Sequence, residues 1–262
     1  MKRQVKSALT IASTILVLIS AFAILFVRKT PAEGAELRVL VSDGMKPPVQ
    51  ELTPQIERAI GCKLTPQFDS SKNLRDKIQA GEPFDAAVIT GDVLDGLIQQ
   101  GKITAASRAD IARTGIGIGV RAGAAKPDVS TPEALKRTLL NAKSIGFNPT
   151  GASAVHIRAM LDRLGIAETL KPKLMLDAEP GGPQKNVAAG KTEIVITLIP
   201  EIQFFPGVEL VGPVPEEFQS YINFAAGIAP NARDPKAARA MIEFLKGPVA
   251  AAAIKSKALE PR

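Results

Sequence analysis

Two stretches of this chain place small donors directly before amphipathic helices. Ser70 and Ser71 precede a run carrying Leu74 and Ile78, and Thr150-Gly151-Ala152-Ser153 precedes a run carrying Ile157, Met160, Leu161 and Leu164. A helix start offers unpaired N–H groups and the positive end of the helix dipole, so a serine beside it completes a holder for a small oxyanion. The same serines also read as plain N-caps that serve only the helix behind them. A third stretch, Gly181-Gly182-Pro183-Gln184, reads either as a turn or as a place where backbone comes close to a ligand, with the Gln184 amide as a further donor.

Scarcity excludes other chemistries. Cys62 is the only cysteine and His156 the only histidine, which leaves no intrachain disulfide, no cysteine cage, no multi-histidine metal centre and no sign of a cofactor. Ser153 and His156 lie three apart on one helix face, and Gly151-Ala152-Ser153-Ala154-Val155 lacks the second glycine of a nucleophile elbow. A serine hydrolase is therefore not expected, and the chain reads as a non-enzyme. With no tryptophan and a single tyrosine, Tyr221, it lacks the ring faces on which sugars stack. Arg75 and Arg121 are available as carboxylate clamps, but no pattern marks them. The formal charge of +7 is concentrated at the start: Lys2, Arg3, Lys6, Arg28 and Lys29 precede position 35, leaving 28 basic and 25 acidic residues beyond it. That residual charge is not gathered into a basic run, so nucleic acid is excluded as a partner.

These residues need elements to position them, and the hydrophobic pattern supplies α/β units with a largely parallel sheet. Strands are expected over 37–41, 63–68, 86–90, 116–120, 145–147, 194–199 and 222–228. Helices are expected over 47–60, 73–80, 93–100, 153–164 and 235–245, with Pro54 kinking the first. Pattern alone leaves open one doubly wound domain or two lobes. Before the body, Met1–Lys6 is basic and Ala8–Val27 is uncharged. Residues 1–34 therefore read as a signal peptide or an N-terminal membrane anchor that puts the rest outside the cytoplasm.

Three stretches together resemble the periplasmic molybdate-binding proteins and related type II solute-binding proteins of ABC transporters. They are Phe68-Asp69-Ser70-Ser71-Lys72-Asn73-Leu74 with Ile78-Gln79-Ala80-Gly81-Glu82-Pro83-Phe84-Asp85, the strand and loop from Leu37 to Met45, and the closing Phe244-Leu245-Lys246-Gly247-Pro248. The resemblance covers about 36–260. It implies two α/β lobes with a ligand cleft between them, lobe 1 being 35–118 with 223–262 and lobe 2 being 119–222. Crossing strands are placed near 117–121 and 219–224. It further implies a monomeric periplasmic protein that binds a molybdate-like oxyanion, closes by a hinge motion and delivers its ligand to an ABC permease in the inner membrane.

Carried onto this sequence, the resemblance assigns ligand contacts to Ser71, with Ser70 beside it, and to Ser153. Two positions depart from it. The serine of the first loop falls on Gly44, so Ser42 or the amides of Gly44 and Met45 must serve instead. The tyrosine of a later strand end becomes Thr197. Gly181 and Gly182 complete the expected contact set. With those departures the residues fit molybdate, another tetrahedral anion or a small carboxylate equally.

Overall fold

The structure, a computed structural model, describes residues 36–262. The expected signal peptide or anchor lies outside the described residues. Among the described residues no helix is long and apolar enough to cross a membrane.

The first unit shows how sequence becomes position. Strand β1 (Glu36–Ser42) is buried along almost its whole length and ends in a 3-10 turn, Asp43–Met45. Helix α1 (Lys46–Ile60) follows, with prolines in its first turn where no N–H is needed, and Gly61 closes it in the left-handed conformation at φ 73°. Val49, Leu52 and Ile56 form its buried face. The helix runs on through Pro54, which lies on the exposed side where the freed carbonyl can meet water.

The pattern continues with β2 (Lys63–Asp69), α2 (Ser71–Gln79), β3 (Ala86–Thr90), α3 (Gly91–Gln99), β4 (Ala109–Thr114) and β5 (Ile116–Arg121). Next come α4 (Pro132–Asn141), β6 (Ile145–Phe147), α5 (Ala154–Arg163), α6 (Ala167–Leu170), β7 (Leu174–Leu176), α7 (Gly182–Ala188), β8 (Ile194–Leu198), α8 (Ile199–Gln203) and β9 (Val208–Pro213). The chain closes with β10 (Ile222–Ile228), α9 (Pro235–Lys246), α10 (Pro248–Ser256) and β11 (Glu260–Pro261).

Two sheets result, in the orders β11-β4-β10-β3-β1-β2 and β7-β6-β8-β5-β9. The expectation of a largely parallel sheet is corrected here. β1 pairs in parallel with β2 and β3, and β6 with β7 and β8, whereas β10 runs antiparallel to β3 and β4, and β5 antiparallel to β8 and β9. The reason is connectivity. Units linked by a helix return in parallel, while strands that carry the chain between sheets enter from the opposite end.

The chain leaves the first sheet at Gly115 and comes back between Pro213 and Ile222. Gln219 ties the two passages together: its Oε1 accepts from the Ile116 N–H at 2.7 Å and its Nε2 donates to the Ile116 carbonyl at 3.0 Å. A Cβ on Gly115 would lie 2.9 Å from that amide, so the crossing has no room for a side chain.

The Ala80-Gly81-Glu82-Pro83-Phe84-Asp85 motif ends on a buried anchor. The Asp85 carboxylate accepts from the Arg38 N–H and the Arg233 guanidinium through Oδ2, each at 2.8 Å, and from the Arg233 N–H through Oδ1 at 2.9 Å. Burial works against its charge, but the Arg233 side chain and the two backbone donors outweigh burial and hold the carboxyl below the usual range. One side chain thereby fastens β1, the start of β3 and the loop after β10.

Candidate ligand-binding cleft

The carboxyl ends of β1, β2, β6 and β8 converge on a cavity of about 600 Å³ between the two sheets and their helices. This is where open α/β sheets bind ligands. Its walls come from both sides: Ser42, Asp43, Lys46, Ser70 and Ser71 from the first sheet, and Asn148, Gly151, Gly181, Gln184 and Glu201 from the second. A wider groove of about 1350 Å³ meets it at Ser71, Gly151 and Ala152.

The serines form an ordered relay. The Thr90 N–H donates to Ser71 Oγ at 3.1 Å, and Ser71 Oγ donates to Ser42 Oγ at 3.0 Å. Both hydroxyl-bearing residues line the cavity. Ser70 instead caps α2, its Oγ accepting from the Asn73 N–H at 3.2 Å. The cap sits on Ser70 while Ser71 is the first helical residue, so the N-cap reading holds for one serine of the pair.

The rest of the expected contact set is dispersed. Ser42, Ser70, Ser71 and Gly181 line the cavity; Gly44, Met45, Ser153, Gly182 and Thr197 do not. Met45 is fully buried among the core residues of β1 and α1. Ser153 is buried at the start of α5 and makes no side-chain cap bond. Behind Gly182 stands Asp177, whose carboxylate would lie 2.4 Å from an added Cβ. Gly44 faces the core, where a Cβ would stand 2.5 Å from Phe224 Cζ and 2.8 Å from Leu198 Cδ1. Both neighbours are buried, so the space is closed. Gly44→Ser should therefore lower stability by about 1–3 kcal/mol through overpacking, without strengthening anion binding. Urea unfolding and a binding titration of that variant check both halves; a tighter site would contradict the placement.

Charge at the cleft is a feature that the sequence does not announce. Asp43 sits in the 3-10 turn after β1, and Glu201 in α8 directly after β8; the two elements pack against each other. Thr197, buried at the end of β8, donates its hydroxyl hydrogen to Glu201 Oε2. Burial pushes Glu201 up to about 7; the Thr197 bond pulls the other way, and the Asp43 charge adds to the rise. Burial first, then Asp69, push Asp43 up to about 6 against the pull of Lys46 and Lys77. Lys46, Lys185 and Lys257 line the same cavity, with Phe204 and Phe205 as its apolar side. Lys257 pairs with Glu51 at 2.7 Å and lies over the Phe204 ring, whereas Lys46 and Lys185 are in no ion pair among the described residues. The available signal is position: each carboxyl lies within three residues of the end of a buried strand.

Residues 37–258 match the family model described as bacterial extracellular solute-binding protein. An aconitate isomerase from a Pseudomonas species is 30% identical, with 92% of this chain and 95% of that protein covered. The molybdate-binding protein of Azotobacter vinelandii is 28% identical over 86% of this chain and 90% of its own. The solved structure of an Azotobacter vinelandii periplasmic molybdate-binding protein superimposes with a TM-score of 0.73 at 19% identity, covering 85% of this chain and 98% of that one.

Proposed function

The chain belongs to the bacterial extracellular solute-binding proteins, and from that premise we propose that it captures a small anion in the cleft and delivers it to an ABC permease. The observation that carries this reading is the relay from the Thr90 N–H through Ser71 to Ser42, which holds two hydroxyls at the lining of a cavity that Lys46 and Lys185 also line. Export through residues 1–34, a periplasmic location and a monomeric state belong to this proposal. So does a hinge closure of 35–118 with 223–262 onto 119–222.

Within that class we take a small polycarboxylate over a molybdate-like ion. The cavity of about 600 Å³ has room for such an acid, and the charges of its lining favour one. Asp43 and Glu201 would repel a compact dianion, while a longer acid can set its carboxylates on the lysines and keep clear of them. The aconitate isomerase relative supports a carboxylate, and the molybdate-binding relative supports an anion.

A screen of molybdate, tungstate, sulfate, citrate, tricarballylate, glutaconate and trans-aconitate by thermal shift checks this. At least one polycarboxylate should raise the melting temperature, by mass action on the folded state, and Ser42→Ala should weaken its binding by about tenfold. If only the tetrahedral ions stabilise, the polycarboxylate is wrong; if nothing does, the anion is wrong.

One observation favours a second reading, in which the bound acid is also chemically altered. Two carboxyl groups able to gain or lose a proton near neutral pH line the cavity, and a site that only holds an anion has no use for them. That a relative spanning nearly the whole chain is an aconitate isomerase supports this reading, which departs from the non-enzyme expectation.

A further inference from the structure

We infer that the cleft moves a proton along the carbon chain of a bound unsaturated polycarboxylate, with Glu201 as the base that removes it and Asp43 as the acid that supplies one at the other end. This rests on the second reading above and assigns its chemistry to residues.

The geometry comes first. Glu201 and Asp43 reach the cavity from two elements that pack together, one after β8 and one after β1. They therefore stand close together where the two sides of the cavity meet, near enough for the Asp43 charge to act on Glu201. The Thr197 hydroxyl and the Leu198 backbone hold the Glu201 carboxylate in place at the cavity. Phe204, Phe205, Pro180 and Pro200 line the cavity beside it, and such an apolar side strengthens a carboxylate as a base by thinning its water. Lys46, Lys185 and Lys257 supply positive charge where the substrate's carboxylates must lie.

The substrate class follows from what these groups can do. A carboxylate base of ordinary strength removes a carbon-bound proton only when the resulting charge is spread out and neutralised. Both conditions are met by a carbon that is allylic to a double bond and whose charge spreads onto a carboxylate held against lysine. In the step, the allylic C–H bond breaks and its proton goes to the Glu201 carboxylate. The electron pair forms a new double bond and displaces the old one onto the far carbon, with the charge carried by the carboxylate there. A new C–H bond then forms at that far carbon with the proton of Asp43. The product is a double-bond isomer of the same composition, so no oxidant, reductant or co-substrate is consumed. Glu201 is left protonated and Asp43 ionised, and exchange with water resets both. Burial, which pushes the two carboxyls up to about 7 and about 6, keeps both forms of each accessible near neutral pH, as a base and acid pair requires. Thr197 is a positioning residue: its hydroxyl holds the orientation of the Glu201 carboxylate.

The full chain, incubated in D2O near neutral pD with glutaconate and with trans-aconitate, is followed by proton NMR. The wild type should replace carbon-bound hydrogen by deuterium in at least one acid that it binds, or convert that acid to its double-bond isomer. Glu201→Gln should lower that rate at least 100-fold while the ligand still raises the melting temperature. Asp43→Asn should slow isomer formation more than it slows loss of the first proton. Thr197→Val should lower kcat with little change in KM and move the pH profile, which a purely structural role would not do. Binding without exchange by the wild type overturns both this inference and the second reading and leaves the binding function standing. Exchange that survives Glu201→Gln overturns the residue assignment alone. Failure of every carboxylate to bind overturns the polycarboxylate and this inference together.

Discussion

Asp85→Ala is expected to cost about 3 kcal/mol of stability, measured as a drop in unfolding free energy in urea. The carboxylate is 1% exposed and accepts from two backbone N–H groups and a guanidinium. Removing one partner of a buried ion pair typically costs about 3–5 kcal/mol, because the remaining donors lose their acceptor. The lower end applies here, since Arg233 is 45% exposed and its charge can return to water, whereas the Arg38 and Arg233 N–H groups are tied into the fold. Asp85→Asn keeps the shape but turns an NH2 toward those donors, so it recovers only part of the loss. The pH dependence has a definite sign. Because the folded carboxyl titrates below its unfolded value, its contribution is present above about pH 4 and is lost as pH falls through the lower folded value. The wild type should therefore lose more stability in acid than the alanine variant. A deficit under 1 kcal/mol at pH 7 would mean that Asp85 does not fasten the three segments.

The elements legible in the sequence are the ones whose burial is one-sided and regular. The expected strand over 86–90 is observed as Ala86–Thr90, wholly buried, and the helix expected over 235–245 is observed as Pro235–Lys246 with Ala238, Met241, Ile242 and Leu245 inward. Strands β4 and β9 lie outside the expected set. Ala109–Thr114 has adjacent buried residues, Ile111 and Ala112, flanked by charge, and Val208–Pro213 is half-exposed along most of its length. Neither shows the period of two that marks a strand; pairing with β10 and β5 makes them strands, and pairing is not a local property. The helix Pro132–Asn141 is also absent from the expected set, although its Thr131 cap and the proline at its start are local signals of a helix.

The site divides along a similar line. Ser71 and Ser42 can be named from sequence because hydroxyls before helices and at strand ends carry a recognised chemistry, yet the relay joining them spans 29 residues of sequence and exists only in the fold. Gly44 looks like a lost serine; what decides its identity is the Phe224 ring behind it, contributed by a strand 180 residues further on. The carboxyls of Asp43 and Glu201 look like ordinary surface acids in the sequence. Their altered acidity comes from burial and from acids distant in sequence, Asp69 for Asp43 and Asp43 for Glu201, so no local pattern announces it.

Glu201→Gln should make the protein more stable at pH 8, by about 1–3 kcal/mol, and the gain should shrink to about a quarter of that at pH 5. Burial raises the folded carboxyl to about 7 from an ordinary value of 4.5. Between those values the native state holds a proton that the unfolded chain has released, so native stability falls as pH rises through the interval and the full penalty stands above pH 7. The rise alone would be worth about 3 kcal/mol at roughly 1.4 kcal/mol per pH unit; the side chain lines an open cavity and is partly exposed, which water screens, hence the lower bound. Three groups act on this carboxyl, namely Asp43 from the turn after β1, the Thr197 hydroxyl and the backbone at Leu198; Lys46, Lys185 and Lys257 line the same cavity, and the Gln184 Nε2 donates to the backbone carbonyl of Glu201 at 3.4 Å. Glutamine keeps the bond from Thr197 through its carbonyl oxygen and has no charge to desolvate. The melting temperature of the variant should exceed that of the parent by roughly 2–10 °C at pH 8, and calorimetry at pH 5 and 8 measures the gap. An equal gap at both values would show that the gain comes from packing and not from the proton. A gap that opens with pH means that the fold carries a destabilising acid at the wall of its ligand cavity, which is the form a stability–function trade takes when the group is kept for what it does to a ligand.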